Sequence, residues 1–215
     1  MVAGRHGGLL PGPLPCRSVP PRPLEIRPVR PDEHAAAGAL VVAAYRALPG
    51  LPLDDGYAGT LADVGLRDGD GGTEVLVALD AGELAGCVTF VPGPGSPWAE
   101  QLEEGEASIR MLAVDPAAQG RGVGRGLLDA CVERARHLGR AGVFLHSTPW
   151  MTAAHHLYAD VGFVRVPGRD WSPSPEVPLL AFRLALDPAP GHAGRRPGAA
   201  GAQKGSPTSP HLNIC

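Results

Sequence analysis

A short glycine-rich segment carries the strongest chemical signal in this sequence. Residues 120–125 read GRGVGR and follow an apolar stretch, 109–114, that ends at Asp115-Pro116. This order predicts a strand, a turn and the start of a helix, whose first amides are unpaired and lie at the positive end of the helix dipole. Three glycines allow a pyrophosphate to approach the backbone closely, and Arg121 and Arg125 add positive charge. The segment therefore predicts a phosphate-binding turn.

Two familiar nucleotide-binding motifs fail on spacing. A dinucleotide fingerprint G-x-G-x-x-G requires glycine at 125 or at 127, where the sequence has Arg125 and Leu127. A P-loop ends in Gly-Lys-Ser/Thr, and the only lysine of the chain is Lys204. The phosphate is therefore not expected to belong to a dinucleotide or a nucleoside triphosphate.

The elements around the turn alternate between strand and helix patterns. The helix predicted at 122–138 is the best supported, because apolar residues recur along it at helical spacing. This order predicts an α/β domain with a central, mostly antiparallel sheet and a parallel crossover through that helix. The predicted strands are 24–29, 74–79, 84–91, 107–114, 143–147, 163–166 and 179–186; the other predicted helices are 31–48, 57–67 and 152–161.

Composition sets the outer bounds of the fold. The hydrophobic fraction of 44% suits a globular core, whereas residues 1–23 and 188–215 are rich in Pro and Gly and are expected to be disordered tails. One domain is therefore predicted at 24–187. The net charge of −3 argues against a nucleic-acid partner. No apolar run reaches the length of a membrane span and no leader is evident, so we expect a cytoplasmic protein.

The cysteines give no indication of a metal site. Cys16, Cys87, Cys131 and Cys215 are widely scattered, with no C-x-x-C pair and no histidine cluster at ligand spacing. Cys87 and Cys131 lie in apolar stretches and are expected to be buried thiols. We therefore expect no metal cofactor.

Two motifs together resemble those of the GNAT superfamily of acyl-CoA-dependent N-acetyltransferases. The phosphate-binding signature Q/R-x-x-G-x-G/A matches residues 119–124, and the element L-Y-x-x-x-G-F matches residues 157–163. The similarity extends over about residues 24–187. It implies a mixed sheet of six to seven strands in which the strand at 107–114 splays away from the strand at 143–147.

The resemblance also implies acetyl-CoA as co-substrate. Its pantetheine arm is expected between the splayed strands, held by the backbone of Leu112, Ala113 and Val114, with the Leu112 N–H as the donor to the oxyanion. The diphosphate is expected on the glycine turn. The residues that this implies there are Gln119, Gly120, Arg121, Gly122, Val123, Gly124 and Arg125.

The catalytic groups follow from the same resemblance. Tyr158 matches the tyrosine that protonates the departing thiolate, although a tyrosine of the core is the alternative. A base is needed because an ammonium with a pKa near 10.4 is not nucleophilic at neutral pH. Three possibilities stay open: His146 on the fifth strand, whose ordinary pKa suits proton transfer, Glu106 just before the fourth strand, and water or another group. Ser108 stands where other members have the glutamate base.

The expected activity is transfer of acetyl to a primary amine of a small molecule or peptide by direct attack. The alternative is an acyl-CoA-binding regulatory domain without turnover. The sequence does not identify the amine, and it carries no information on the oligomeric state.

Overall fold

A seven-stranded sheet organises the computed structural model, which describes residues 24–51 and 53–187. The strands are Glu25–Pro28 (β1), Glu74–Asp80 (β2), Glu83–Val91 (β3), Glu106–Val114 (β4), Gly142–Ser147 (β5), Val164–Arg165 (β6) and Leu180–Ala185 (β7). The helices are His34–Arg46 (α1), Asp55–Ala62 (α2), Val64–Arg67 (α3), Val123–His137 (α4) and Thr152–Val161 (α5). The predicted tails, 1–23 and 188–215, lie outside the described residues, and the predicted domain bounds stay a prediction.

The strand order is β1-β2-β3-β4-β5-β7-β6. Strands β4 and β5 form the parallel pair, joined by α4, and the other neighbours are antiparallel. The mixed, mostly antiparallel sheet predicted from the sequence, with its crossover through the helix near 122–138, is therefore confirmed.

Helices cover both faces of the sheet. On one face α4 packs so closely that a Cβ on Gly86 of β3 would lie 2.7 Å from Val123 Cγ1 and 2.9 Å from Leu127 Cδ1. A glycine at that position is what lets the helix reach the sheet. On the other face α1 and α2 bury a second apolar cluster, which includes Val41, Tyr45 and Leu61.

The helix predicted over 57–67 is interrupted. Asp63 leaves the helical region (φ −81°, ψ 74°) and its side chain accepts a hydrogen bond from the Leu66 amide at 2.9 Å, which starts α3. An aspartate readily caps a new helix in this way, and the apolar pattern alone did not reveal the break.

Two further predictions concern cysteines and membranes. Cys87 and Cys131 are buried, as expected, while Cys16 and Cys215 lie outside the described residues. Among residues 24–51 and 53–187, no His, Cys, Asp and Glu side chains gather into a group of three that could hold a metal ion. Within the same ranges no helix has the length and apolarity needed to cross a membrane.

Candidate active site

The two central strands part at their carboxyl ends. Pairing between β4 and β5 covers only 106–108 against 142–144, although β4 continues to Val114 and β5 to Ser147. The register between β4 and β3 also shifts in this region, and Met111 has a φ of +53°. Such a β-bulge bends a strand and increases its twist, which accounts for the divergence. The expected splayed pair is present.

A cleft of about 600 Å³ opens where the strands diverge. It extends from the bulged part of β4 to the start of α4, and its other walls are the end of α1 and the start of α5. All of the predicted cofactor residues except Arg121 line it: Leu112, Ala113, Val114, Gln119, Gly120, Gly122, Val123, Gly124 and Arg125. Tyr45, Trp150, Met151 and Thr152 also contribute to its walls.

The glycine turn presents the uncapped end of α4 to this cleft. Gly122 precedes the helix with a φ of +83°, and no side chain caps the first turn. The amide of Gly126 donates to the Gly122 carbonyl at 2.9 Å, so the amides that precede it have no partner in the helical ladder. These donors and the helix dipole make the turn suited to an anion.

The two arginines of the turn differ in their surroundings. Arg125 lies on the cleft wall and its Nε contacts Asp129 at 2.9 Å, one turn along the helix. Arg121 is directed away from the cleft, with Nη1 2.5 Å from Asp80 and Nη2 donating to the Ala117 carbonyl at 2.9 Å. In this structure the charge of Arg121 is balanced by Asp80, and its contact with a cofactor stays a prediction.

Tyr158 is fully buried beside the cleft. Its ring packs near Phe163 and Phe182, at centroid distances of 5.9 and 5.6 Å, while its neighbour Leu157 lines the cleft wall. This position suits the core tyrosine that the sequence left as an alternative. Its role as the acid stays a prediction.

His146 lies on the face of β5 opposite the α4 helix. Only 5% of the residue is exposed, and its ring contacts those of Phe144 and Trp171 at 4.8 and 6.2 Å. Burial lowers the pKa of the imidazole, and the hydrogen bond to the Arg169 carbonyl opposes this shift. The bond joins His146 Nε2 to Arg169 O at 3.1 Å. A carbonyl can only accept, so Nε2 carries the hydrogen and Nδ1 keeps the lone pair.

Glu106 is held in an ion-pair network. Its carboxylate oxygens accept from Arg169 Nη1 at 3.0 Å and from Arg183 Nε at 2.9 Å, and its exposure is only 3%. The Arg169 guanidinium also lies 3.6 Å from the centroid of the Phe144 ring. These contacts fix the loop between β6 and β7 to the sheet.

A family comparison agrees with this geometry. The sequence model described as the acetyltransferase (GNAT) family matches residues 44–163, more than half of the 215-residue chain. The chain belongs to the GNAT acetyltransferase family. The family and the fold expected from the two sequence motifs are therefore confirmed.

Several known proteins resemble parts of this GNAT chain. A mycothiol acetyltransferase of Gordonia bronchialis is 39% identical over 71 residues, which make up 33% of this chain and 23% of the relative. A streptothricin acetyltransferase of Streptomyces lavendulae is 31% identical over 125 residues, or 54% of this chain and 62% of the relative. Each match spans less than two thirds of the relative's own length.

Solved structures share the fold. An acetyltransferase of Staphylococcus aureus Mu50 has a TM-score of 0.61 at 13% identity, over 77% of this chain and 100% of that chain. The yncA protein of Salmonella typhimurium, solved with its cofactor acetyl-CoA, has a TM-score of 0.54 at 22% identity, over 80% of this chain and 96% of that chain. At these identities the likeness shows the fold.

Sequence reasoning missed a group of buried polar residues on the α1–α2 face of the sheet. Arg110 is 6% exposed, and its Nη1 donates to the Trp98 carbonyl at 2.8 Å. Glu100 lies in the loop before β4, and burial raises the pKa of its carboxyl to about 7. A charged residue at 110 between Ile109 and Met111, inside an apolar strand, was the available signal.

Proposed function

We propose that this GNAT protein transfers acetyl from acetyl-CoA to a primary amine of a small molecule by direct attack. The observation that carries the proposal is the cleft beside the end of β4, which joins the unpaired amides at the start of α4 to Leu112, next to the bulge at Met111. A diphosphate fits the amides, and an extended arm fits the gap between the strands.

The residues of the cleft suit that ligand at both ends. The amides of the turn before Gly126 can donate to an anion at no cost to the helix, because they form no hydrogen bond within it. At the other end, the β4 backbone at Leu112 follows the bulge and offers an N–H to the oxyanion of the tetrahedral intermediate. The relative solved with acetyl-CoA supports the same co-substrate.

Of the two candidates for the base, we choose His146. Burial keeps the imidazole neutral at neutral pH, and the tautomer fixed by the Arg169 carbonyl leaves Nδ1 able to accept a proton from the ammonium. Glu106, the other candidate, has its oxygens occupied by Arg169 and Arg183. We assign Glu106 the structural task of holding the β6–β7 loop.

Tyr158 is our candidate for the acid. Its helix, α5, contributes Leu157 and Thr152 to the cleft wall, so the tyrosine stands directly behind the lining of the site. Protonation of the thiolate by a buried phenol would complete the transfer without a covalent enzyme intermediate.

A small-molecule acceptor is supported by two relatives named for mycothiol and streptothricin. The acceptor would approach from the α1–α2 face, where His146 lies. Asp54, one of the acidic residues on that side, caps α2 by accepting from the Tyr57 amide at 2.7 Å, and is therefore engaged in structure.

Two measurements test the proposal. Calorimetry should show one molecule of acetyl-CoA bound per chain, and a screen of small amines should show release of the CoA thiol. A folded sample that does not bind acetyl-CoA would contradict the proposal. Binding of acetyl-CoA without release of the CoA thiol to any acceptor would favour the regulatory domain. Tyr158→Phe should then behave like the wild type in every assay.

A further inference from the structure

Three buried polar atoms without a hydrogen-bond partner lie on the acceptor side of the sheet. They are Glu100 Oε2, Arg110 Nη2 and Trp171 Nε1. Buried donors and acceptors are almost always paired in folded proteins, so unpaired ones call for an explanation. Two of the three, Arg110 Nη2 and Trp171 Nε1, are N–H donors.

Two of these residues, Arg110 and Trp171, come from different elements that lie near His146. Arg110 is on β4, directly before the bulge at Met111, and its guanidinium lies 5.7 Å from the centroid of the Trp98 ring. Its positive charge contributes to lowering the pKa of His146. The Trp171 ring, on the β6–β7 loop, lies 6.2 Å from the His146 ring. Both unpaired donors thus belong to residues near His146, the proposed base.

The pleat of the sheet places Arg110 on the acceptor face. Ala107 and Ile109 point into the core beneath α4, so Arg110 points to the opposite face. His146 follows the same logic, because Val143 and Leu145 on β5 also point into that core.

The charge at this place is unbalanced. Arg67 is fully buried and donates to the carbonyls of residues 60, 61 and 63 and to Thr89 Oγ1. Burial lowers the pKa of its guanidinium, and the charge of Arg110 lowers it further. Within the described ranges, neither Arg67 nor Arg110 forms a salt bridge with a carboxylate. Glu100 only partly compensates, since burial raises its pKa to about 7 despite the opposing charge of Arg110.

We propose that Arg110 Nη2 and Trp171 Nε1 bind a carboxylate of the acceptor, so that the substrate is a small amine carrying a free carboxylate, such as an amino acid. A carboxylate accepts from both donors and neutralises the buried guanidinium. The amino group is then held near His146 Nδ1, which takes its proton before attack. Burial raises the pKa of Glu100 to about 7, so its protonated form, which does not repel a bound carboxylate, is accessible at neutral pH. This inference rests on the proposed acetyl transfer.

Matched acceptors test the substrate class. The twenty standard L-amino acids and β-alanine are compared with their carboxamides, which keep the amine and lose the negative charge, by release of the CoA thiol. We expect at least one amino acid to exceed its carboxamide in kcat/KM by a factor of ten or more. Calorimetry on the protein saturated with CoA should show the same preference in binding.

Variants test the two donors. Arg110→Gln should raise the KM for the preferred amino acid at least tenfold, change kcat less than threefold and remove the preference over the carboxamide. Trp171→Phe, which keeps a ring and loses only the N–H, should act in the same direction. The control is Arg134→Gln: Arg134 pairs with Glu74 at 2.8 Å on the α4 side, and its loss should leave both KM values unchanged. Unaltered acetyl-CoA affinity would show that each variant is folded. If Arg110→Gln does not fold, Arg110→Lys takes its place.

The outcomes separate the two proposals. Failure to bind acetyl-CoA removes the proposed function. Binding of acetyl-CoA with equal kcat/KM for amino acid and carboxamide, or with acetylation of neither, overturns the carboxylate site. An unchanged preference in Arg110→Gln overturns it as well.

Discussion

Replacing Gly122 by alanine tests the phosphate-binding turn at its most constrained residue. Gly122 has a φ of +83°, where alanine costs about 1–2 kcal/mol, and a Cβ built on it meets no atom within 4 Å. The cost is therefore one of backbone conformation alone. The chain can relieve it by rotating φ toward negative values, which turns the peptide plane that carries the next amide away from the cleft.

The expected loss of affinity follows from that strain. If binding of acetyl-CoA has to restore the native turn, the 1–2 kcal/mol appears in the dissociation constant, as a rise of about 5- to 30-fold. Isothermal titration calorimetry of Gly122→Ala against the wild type measures this change. At saturating acetyl-CoA the rate of Gly122→Ala should differ much less from that of the wild type, because the turn lies at the proposed diphosphate end of the cleft.

The other end of the same helix supplies the control. Gly139, just after α4, has a φ of +64° and an equally open Cβ position, but does not line the cleft. Gly139→Ala should lose about the same stability in urea unfolding and bind acetyl-CoA like the wild type. Equal affinities of the two variants, weak or strong, would refute the assignment of this turn to the diphosphate.

Three other substitutions address the catalytic groups. Tyr158→Phe should lower kcat at least tenfold with unchanged affinity for acetyl-CoA in calorimetry, because only the phenol proton is lost; full activity would remove Tyr158 as the acid. Since burial lowers the pKa of His146, kcat of the wild type should be flat at neutral pH and fall only below the usual imidazole pKa near 6.5. In a pH–rate profile, His146→Gln should lack this decrease at acid pH. The same decrease in the variant would exclude His146 as the base. Glu106→Gln should lose about 3 kcal/mol of unfolding free energy in urea, because Arg169 and Arg183 lose their buried partner; full stability with abolished turnover would instead make Glu106 the base.

The parts of the site that the sequence predicted depend on local rules. A positive φ before a helix favours glycine, and the first amides of a helix have no partner in the helical ladder, so the sequence of residues 120–124 predicts both the conformation of the turn and its open amides. The parallel crossover was predictable for a similar reason, since a strand, an amphipathic helix and another strand form such a unit. These features need only neighbours along the chain.

Arg121 shows where such local reasoning ends. Its place in the glycine turn suggested a phosphate contact, yet Asp80, at the end of β2, takes its guanidinium at 2.5 Å. The sequence shows that an arginine is present and does not show which anion is nearest. That choice is made by the packing of the β2–β3 hairpin against the turn.

The base presented the same difficulty in a sharper form. Glu106 and His146 were both reasonable from their residue types, and what distinguishes them lies far away in the chain: Arg169 and Arg183 follow Glu106 by 63 and 77 residues. Because the β6–β7 loop folds back over β4 and β5, Arg169 both occupies the carboxylate and, through its carbonyl, sets the tautomer of His146. One residue of that loop thus distinguishes the two candidates for the base. The same return of the chain brings Trp171 to His146, so the loop that orients the proposed base also contributes to the proposed carboxylate site.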